Sequence, residues 1–486
     1  MSENLKTKTV KGVGWSFVDN IANQGISFLV GLVLANLLTP EEYGIVGIIM
    51  IFIAIFNCIV DSGFSSALVR KKDVLPIDYD TIFIANILFS AAIFVLCIFG
   101  APYIASFFNE PQLTMLTRVM GIIVIINGVA IVQRTILVKN IDFKTQTKIS
   151  LIASISSGAV GIGMALYGLG VWSLVGQQIS RQTLNTLFLW IYGTWRPRLK
   201  FSVESFKQLF GFGWKLLASG LIDALWREIY QVVIGKCYSS SMLGQYTRST
   251  QFSAVFSSNL TTIVQRVSFP VLSQLQDDKQ RLKEGYRKVI KVTMYVTFSC
   301  MLMLAAVAHP MINVLIGEKW NEAANMLPIV CFIMMLYPLH SLNLNMLQVQ
   351  GRSDLFLKLE IIKKVFAVGP ILLGIFIDIY YMLWGSVVTG LISYYLNSYY
   401  SGKYLKYDFW SQVKDIAPSF LLASVTALIV YAVSWLPLSI YIIFPLQLVV
   451  GLIVLLAISE IFKCEEYVEL KRILFSAVIY KWKINR

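Results

Sequence analysis

The sequence is poor in charge, histidine and cysteine. Of its 486 residues, 14% are charged and 57% are hydrophobic, which leaves little sequence for a soluble domain. Two histidines, His309 and His340, and six cysteines without CxxC spacing argue against a metal site and a disulfide framework. No P-loop motif occurs, which excludes an ATPase motor of that kind in this chain. We therefore expect neither a bound metal nor a cofactor.

Long apolar stretches dominate the chain instead. A helix that crosses about 30 Å of hydrocarbon needs about 20 apolar residues. Fourteen stretches of this kind predict an all-α, polytopic membrane protein with fourteen transmembrane helices. The predicted spans are 14–38, 44–68, 81–106, 114–137, 147–168, 171–193, 208–236, 244–270, 290–316, 324–348, 357–377, 380–402, 414–435 and 439–462.

The positions of lysine and arginine predict the orientation. With the N-terminus inside, 33 of the 41 Lys and Arg residues lie in inward segments or the adjoining helix ends. The outward connections carry only Lys236 and Lys319. The positive-inside rule therefore places both termini in the cytoplasm. The same asymmetry accounts for the formal net charge of +14 without a nucleic-acid partner.

The two halves of the chain resemble each other weakly. A GVGW motif at 12–15 opens the first span, and a GFGW motif at 211–214 opens the seventh, 199 residues later. Gly44 and Gly244 open the second and eighth spans, 200 residues apart. Internal repeats separated by six spans keep the same orientation and predict two lobes related by an axis along the membrane normal.

The repeat predicts four parts of the chain. Two six-helix lobes occupy 1–207 and 208–403, and spans thirteen and fourteen follow at 404–463 as an addition to the lobes. The tail 464–486 mixes basic and apolar residues, which is typical of an amphipathic helix on the inner membrane surface.

Charged residues within the spans indicate where the chemistry lies, because charge in a bilayer usually faces a protein interior or a wet cavity. In the seventh span, Lys215, Ser219, Asp223 and Arg227 recur every four residues and form one polar stripe. Arg181 lies near the middle of the sixth span. We expect a cationic cavity whose candidate substrate-binding residues are Lys215, Arg227, Arg248 and Arg181. Candidates for the polar cavity wall or for ion coupling are Asp19, Asn23, Asp61, Asp223 and Glu228.

Several of these residues have a second interpretation. Asp223 and Arg227 are spaced to pair on one helix turn as neutral packing. Arg248 lies within a few residues of the outer end of its span, and Asp61 lies near an inner end, where it would order a gate. A basic cavity favours phosphate or pyrophosphate. Nucleotides, organic acids and peptides fit the same chemistry.

Five stretches of the sequence carry a resemblance to a known family. They are LLTPEEYG at 37–44, DSGFSSALVR at 61–70, FPVLSQLQDD at 269–278, GEKW at 317–320 and GRSD at 351–354. In this order they resemble the multidrug/oligosaccharidyl-lipid/polysaccharide exporter superfamily, in its polysaccharide transport branch with the Wzx-type flippases.

The resemblance implies a two-lobed flippase in the cytoplasmic membrane of a bacterium. It would move a polyprenyl-pyrophosphate-linked oligosaccharide from the inner to the outer leaflet by alternating access, for cell-surface polysaccharide synthesis. Cationic residues of the lumen would bind the pyrophosphate, which agrees with Lys215 and Arg227. Na⁺, H⁺ or the membrane potential would supply the energy, and a polysaccharide polymerase and export machinery would be partners.

Other functions stay open at this point. A lipid II flippase shares fourteen spans and a basic cavity, and a cation-coupled multidrug exporter belongs to the same superfamily. Spans thirteen and fourteen, with Lys215 and Arg227, argue against the multidrug exporter. The short outward loops argue against a membrane-embedded polymerase or glycosyltransferase, so we expect a protein that is not an enzyme.

Overall fold

The structure is a computed structural model, and it describes residues 3–275, 278–350 and 352–472. These residues form α-helices, two short 3₁₀-helices and their connections, and no β-strand occurs among them. The predicted all-α class is confirmed. The chain divides into two compact units, Met1–Thr247 and Arg248–Arg486.

The first unit contains nine helices and the start of a tenth. They are α1 (Glu3–Leu37), α2 (Pro40–Asp61), α3 (Phe64–Arg70), α4 (Pro76–Phe108), α5 (Leu113–Met120), α6 (Ile122–Lys139), α7 (Phe143–Leu166), α8 (Val171–Tyr192), α9 (Val203–Cys237) and α10 (Ser240–Gln274). Within the described part of this unit, α7 packs against α1 and α8, α4 against α6, and α2 against α9.

The second unit contains the rest of α10 and the later helices. They are α11 (Lys279–Ala306), α12 (Ala308–Ile316), α13 (Asn321–Met334), α14 (Tyr337–Val349), α15 (Ser353–Phe376), α16 (Ile379–Leu405), α17 (Phe409–Ala432) and α18 (Ile440–Ile461), with 3₁₀-helices at Glu318–Trp320 and Val433–Trp435. Here α11 packs against α17, α15 against α16, and α17 against α18.

Each predicted span falls on one helix or on two consecutive helices. The second span is broken at Ser62 and Gly63, which both adopt positive φ, 46° and 69°. The fourth, ninth and tenth spans are broken as well, at the junctions of α5 with α6, α11 with α12, and α13 with α14. The apolar runs predict where the chain is helical but not where a helix is interrupted.

Nine segments of the described chain are long and apolar enough to cross a membrane. The helices outside these segments are α8, α9, α10, α15, α16 and the nine-residue α12. Three of them carry the polar residues on which the site depends. The nine segments establish a multi-pass membrane protein, and the full set of fourteen spans stays a prediction.

Side chains that cap helix starts fix where several helices begin. At α2, the Thr39 backbone N–H donates to Glu42 Oε2 at 2.7 Å, and the Glu42 N–H donates to Thr39 Oγ1 at 3.3 Å. This reciprocal pair satisfies two backbone donors that a helix start leaves free. Five further helices start at a capping Ser or Asp side chain: Ser202, Asp142, Asp278, Asp378 and Asp408.

The compact units and the predicted lobes divide the chain at different places. The repeat places α9 and α10 in the second lobe, whereas α9 and residues 240–247 of α10 cluster with the first unit. The reason is that α9 packs along α2, α3 and α4. The lobes at 1–207 and 208–403 and the addition at 404–463 stay predictions. Of the predicted tail 464–486, residues 465–472 are helical and residues 473–486 lie outside the described residues.

Candidate functional site

The polar stripe of α9 is an accessible set of charges within the first unit. Lys215, Ser219, Asp223 and Arg227 are all exposed. Trp214 and Leu225 are exposed on the opposite side of the same helix, 49% and 53% respectively. A helix with one exposed polar side and one exposed apolar side suits a boundary between an aqueous path and lipid.

A close backbone contact brings this stripe beside the end of α2. The turn after α2 passes Gly213 of α9 so closely that a Cβ on Gly213 would lie 2.6 Å from the Ser62 carbonyl oxygen. A Cβ on Gly63 would lie 2.5 Å from the carbonyl oxygen of Gly213. Only residues without a side chain permit this approach. One turn before the end of α2, the Cys58 thiol interacts electrostatically with Asp223 and Arg227 of α9.

Asp61, the last residue of α2, has a carboxylate that is hydrogen-bonded to neighbouring residues. Its carboxylate accepts hydrogen bonds from the backbone N–H of Ser65 at 3.4 Å and from the Ser65 hydroxyl. The Thr135 hydroxyl of α6 donates to Ser65 Oγ at 3.2 Å. Arg134, half-buried on α6, interacts electrostatically with Asp61. This arrangement joins α2, α3 and α6 and agrees with a role for Asp61 in local order.

Asp19 and Asn23 belong to a second polar cluster, formed by α1, α7 and α8. Asn23 Nδ2 donates to Asp19 Oδ1 at 2.7 Å and to Ser150 Oγ at 2.9 Å. The Ser154 hydroxyl donates to Asn23 Oδ1 at 2.7 Å. Arg181 of α8 is half-buried and interacts electrostatically with Asp19. These contacts join α1, α7 and α8.

A chain of amides links the two clusters. Asn127 Nδ2 of α6 donates to Asn57 Oδ1 of α2 at 2.7 Å. Gln182 Nε2 of α8 donates to Asn127 Oδ1. Gln182 follows Arg181 directly, and Asn57 lies one turn before Asp61. The first unit therefore holds a polar network that joins α1, α2, α3, α6, α7 and α8.

The remaining predicted residues lie outside that network. Glu228 is half-buried and accepts a hydrogen bond from Gln231 Nε2 at 2.5 Å on its own helix. Arg248 belongs to the second unit, is 6% exposed, and donates from Nη1 to Gln251 Oε1 at 2.8 Å. Its guanidinium lies 5.6 Å from the centroid of the fully buried Trp320 ring. These contacts favour packing for Arg248, and its assignment as a ligand stays a prediction.

Arg134 is the functional candidate that the sequence interpretation missed. It lies three residues before the predicted inner end of the fourth span, where it counts as one of the inner cations. Its relation to Asp61 depends on two helices far apart in sequence, which spacing alone does not reveal. A charge three residues inside the predicted span end, rather than at the end, was the available signal.

The cations of the first unit's candidate site fall into two groups. Arg181 and Arg134 are half-buried and face Asp19 and Asp61, respectively. Lys215 is exposed and makes no hydrogen bond or ion pair with any residue in the described ranges. Arg227 is exposed as well and has Glu228 as its electrostatic neighbour. The stripe of α9 therefore offers cations that an anionic ligand can reach.

Comparisons with known proteins agree with this architecture. A family model described as "Polysaccharide biosynthesis protein" matches residues 33–325. The teichuronic acid biosynthesis protein TuaB of Bacillus subtilis is 24% identical over 72% of this chain and 73% of its own length. The lipopolysaccharide biosynthesis protein WzxC of Escherichia coli is 23% identical over 76% of each chain.

A solved structure extends the likeness to the whole fold. The lipid II flippase MurJ, in an inward closed conformation, superposes with a TM-score of 0.75 at 15% identity. The match covers 93% of this chain and 98% of that one. The chain thus has the fold of that transporter, and the family model covers more than half of its residues. It belongs to the polysaccharide biosynthesis protein family.

Proposed function

We propose that this chain is a flippase that moves a polyprenyl-pyrophosphate-linked oligosaccharide across the cytoplasmic membrane for cell-surface polysaccharide synthesis. Its family and the names of its relatives support the polysaccharide pathway. The observation that carries the proposal is the exposed stripe of α9, where Lys215 is uncovered by protein and without a partner in the described chain. A diphosphate needs such cations at membrane depth.

Lys215 and Arg227 act at successive positions along the path. They are twelve residues apart on one helix, which separates them by about 18 Å at 1.5 Å per residue. One pyrophosphate cannot contact both at once. Since α9 runs from the inner to the outer side in the predicted orientation, Lys215 receives the diphosphate from the inner leaflet. Arg227 holds it closer to the outer leaflet.

Asp223 lies between the two cations, one turn before Arg227. A carboxylate at this point disfavours a long stay of the anion and keeps binding weak enough for release. The polar network behind α9, from Asp61 to Asp19, holds the wall of the path in place. In this mechanism the chain is a transporter that needs no cofactor and catalyses no covalent step.

The remaining features of the proposal concern topology and partners. Both termini lie in the cytoplasm, and the fourteen spans form two lobes that alternate access to the two sides. A polysaccharide polymerase on the outer side would consume the flipped lipid. The membrane potential is the favoured energy source, because moving negative charge outward is downhill when the inside is negative.

The test is mass spectrometry of membrane lipids from a strain that lacks the gene, complemented with variants. The unsubstituted chain should prevent accumulation of the polyprenyl-pyrophosphate oligosaccharide, and Lys215→Ala should restore accumulation at equal protein level. Lys200→Ala removes the same charge from an exposed position in the connection before α9 and should behave as the unsubstituted chain. Accumulated lipid II would instead assign the chain to peptidoglycan precursor transport. An unchanged lipid pool would refute the flippase proposal.

A further inference from the structure

The helices α2 and α10 start in equivalent ways, although 200 residues separate them. Pro40 is the first residue of α2 and Ser240 the first of α10, and each helix carries a glycine four residues later, Gly44 and Gly244. Both glycines lie within the first unit and both are buried.

The first turns of α2 and α10 contact each other reciprocally. A Cβ on Gly44 would lie 1.6 Å from the carbonyl oxygen of Ser240, and a Cβ on Gly244 would lie 1.9 Å from the carbonyl oxygen of Pro40. Because each helix meets the other through the same pair of positions, a local two-fold axis passes through the crossing. The obstacles are backbone atoms, so no side-chain rearrangement could accommodate a methyl group.

Further contacts hold the start of α10 in this place. The Ser240 hydroxyl donates to Glu110 Oε1 at 2.7 Å, beyond the end of α4. Lys236, near the end of α9, donates to the carbonyl oxygen of Phe107 at 2.6 Å, and its ammonium lies 4.8 Å from the Phe107 ring. At the crossing itself Gly44, Ser240 and Gly244 are buried, in contrast to the exposed stripe near Lys215.

We infer that the Gly44–Gly244 crossing is the seal at the outward end of the transport path, and that it closes only because both positions lack a side chain. The inference rests on the proposed function and on the predicted orientation, in which α2 and α10 both start on the outer side. The sequence repeat and the reciprocal contact support it independently: one predicts equivalent helices, and the other brings their starts together.

The test measures access from outside to a cysteine on the stripe. Ser219 is exposed on α9. The six native cysteines are free thiols in the described chain and are replaced first, and Ser219→Cys is then introduced. An impermeant maleimide is applied to intact cells. Gly44→Ala and Gly244→Ala should each raise the labelling rate at least tenfold and reduce export, because the outer end cannot close.

Gly47→Ala is the matched control, one turn further along α2 and facing the same helix. A Cβ there would lie 3.7 Å from the Leu243 side chain, which is ordinary contact. It should label and export as the unsubstituted chain does. If Gly44→Ala matches Gly47→Ala in both measurements, or if labelling increases only from the cytoplasmic side, the inference is wrong.

A second measurement covers the case in which the alanine variants fail to accumulate. Glu110→Cys and Ser240→Cys replace two side chains in direct contact. A cleavable bifunctional thiol reagent across them should stop export and block outside labelling at position 219, and cleavage should restore both. Export that continues through the cross-link would overturn the inference. Labelling measures closure of the outer end whatever lipid is transported. An error in the proposed substrate would therefore be detected only by the lipid analysis.

Discussion

Arg287 on α11 forms a bidentate ion pair with Asp415 on α17. Its Nε donates to Asp415 Oδ2 at 2.6 Å and its Nη2 to Oδ1 at 2.5 Å. The Tyr407 hydroxyl donates to the same Oδ2 at 2.7 Å. The helix α17 is the first of the two that follow the predicted repeat, so this pair joins that addition to the rest of the second unit.

We expect Arg287→Ala to destabilise the second unit by about 1–2 kcal/mol. Asp415 is 9% exposed and would be left with one partner, whereas solvent reaches the 53% exposed Arg287 side chain and reduces the loss relative to a fully buried pair. Thermal unfolding of the purified protein in detergent measures the effect. Arg281→Ala breaks a pair at 3.3 Å whose partners are 76% and 51% exposed, and should leave the midpoint unchanged. Equal midpoints for both variants would contradict the prediction.

We expect segment 465–472 to dock on α11 through charge. Lys291 Nζ lies 2.7 Å from Glu465 Oε2 and 3.1 Å from Glu466 Oε1, and Lys288 Nζ lies 2.8 Å from Glu469 Oε1. The Lys291 hydrogen bond lowers the pKa of the Glu465 carboxyl below its ordinary 4.5. A depressed pKa in the docked state stabilises docking above pH 4.5, and this contribution is lost as pH falls through the lower, docked value.

The mobility of a spin label at Val468→Cys, which is 54% exposed, tests this docking. The label should be restricted at pH 7 and become mobile in acid. The double variant Lys288→Ala and Lys291→Ala should make it mobile at pH 7. Lys283→Ala serves as control, because Lys283 donates to the Lys406 carbonyl oxygen and not to an acid of this segment. A label that stays restricted in the double variant would rule out docking by charge.

We expect Asp19 and Arg181 to be energetically coupled. Removing either charge leaves the other half-buried and without its partner. Each single substitution should therefore lower the free energy of unfolding by more than the net stabilisation that the pair contributes. Asp19→Asn with Arg181→Gln should therefore be more stable than the sum of the single effects by about 1–3 kcal/mol. Unfolding midpoints of the four proteins give this coupling.

Export by the same four proteins distinguishes a structural role of Arg181 from a role in ligand binding. If Arg181 acts through Asp19, the double variant should regain export together with stability. If Arg181 binds the diphosphate itself, the double variant should be stable and still fail to export. This second result would return Arg181 to the group of substrate-binding cations.

The positions of the helices and the α9 stripe could be predicted because both depend on local sequence. A run of about 20 apolar residues specifies a membrane helix without reference to its neighbours. Spacing of four places Lys215 and Arg227 on one stripe, and the structure leaves both exposed. The start of α2 was also readable, since Thr39 and Glu42 form a capping box from adjacent residues.

Relations between distant helices could not be predicted in the same way. The facing of Arg134 and Asp61 depends on how α6 packs against α2, and hydropathy carries no information on that packing. The Ser62–Gly63 dipeptide was a readable sign of the break after α2, since serine–glycine pairs mark turns. Gly44 and Gly244 were noticed as a repeat, but their mutual contact needed the structure.

We expect export to depend on the membrane potential and not on a coupling ion at the acids of the first unit. A pyrophosphate diester carries about two negative charges, and an inside-negative potential contributes about 2.3 kcal/mol per charge for each 100 mV as they move outward. At 100 mV this amounts to about 4.6 kcal/mol, or a concentration ratio above a thousandfold. The acids Asp19 and Asp61 are already engaged, by Asn23 and Ser65, and need no cation to satisfy them.

Proteoliposomes with an imposed potassium diffusion potential test this prediction. Flipping of the lipid-linked oligosaccharide should increase with an inside-negative potential, and should stay the same when sodium or a pH gradient is added at fixed potential. Asp19→Asn and Asp61→Asn should retain the potential dependence even where they lower the rate. A requirement for sodium or protons that disappears in one of these variants would identify that acid as a coupling site instead. The potential would then act on the ion as well as on the diphosphate.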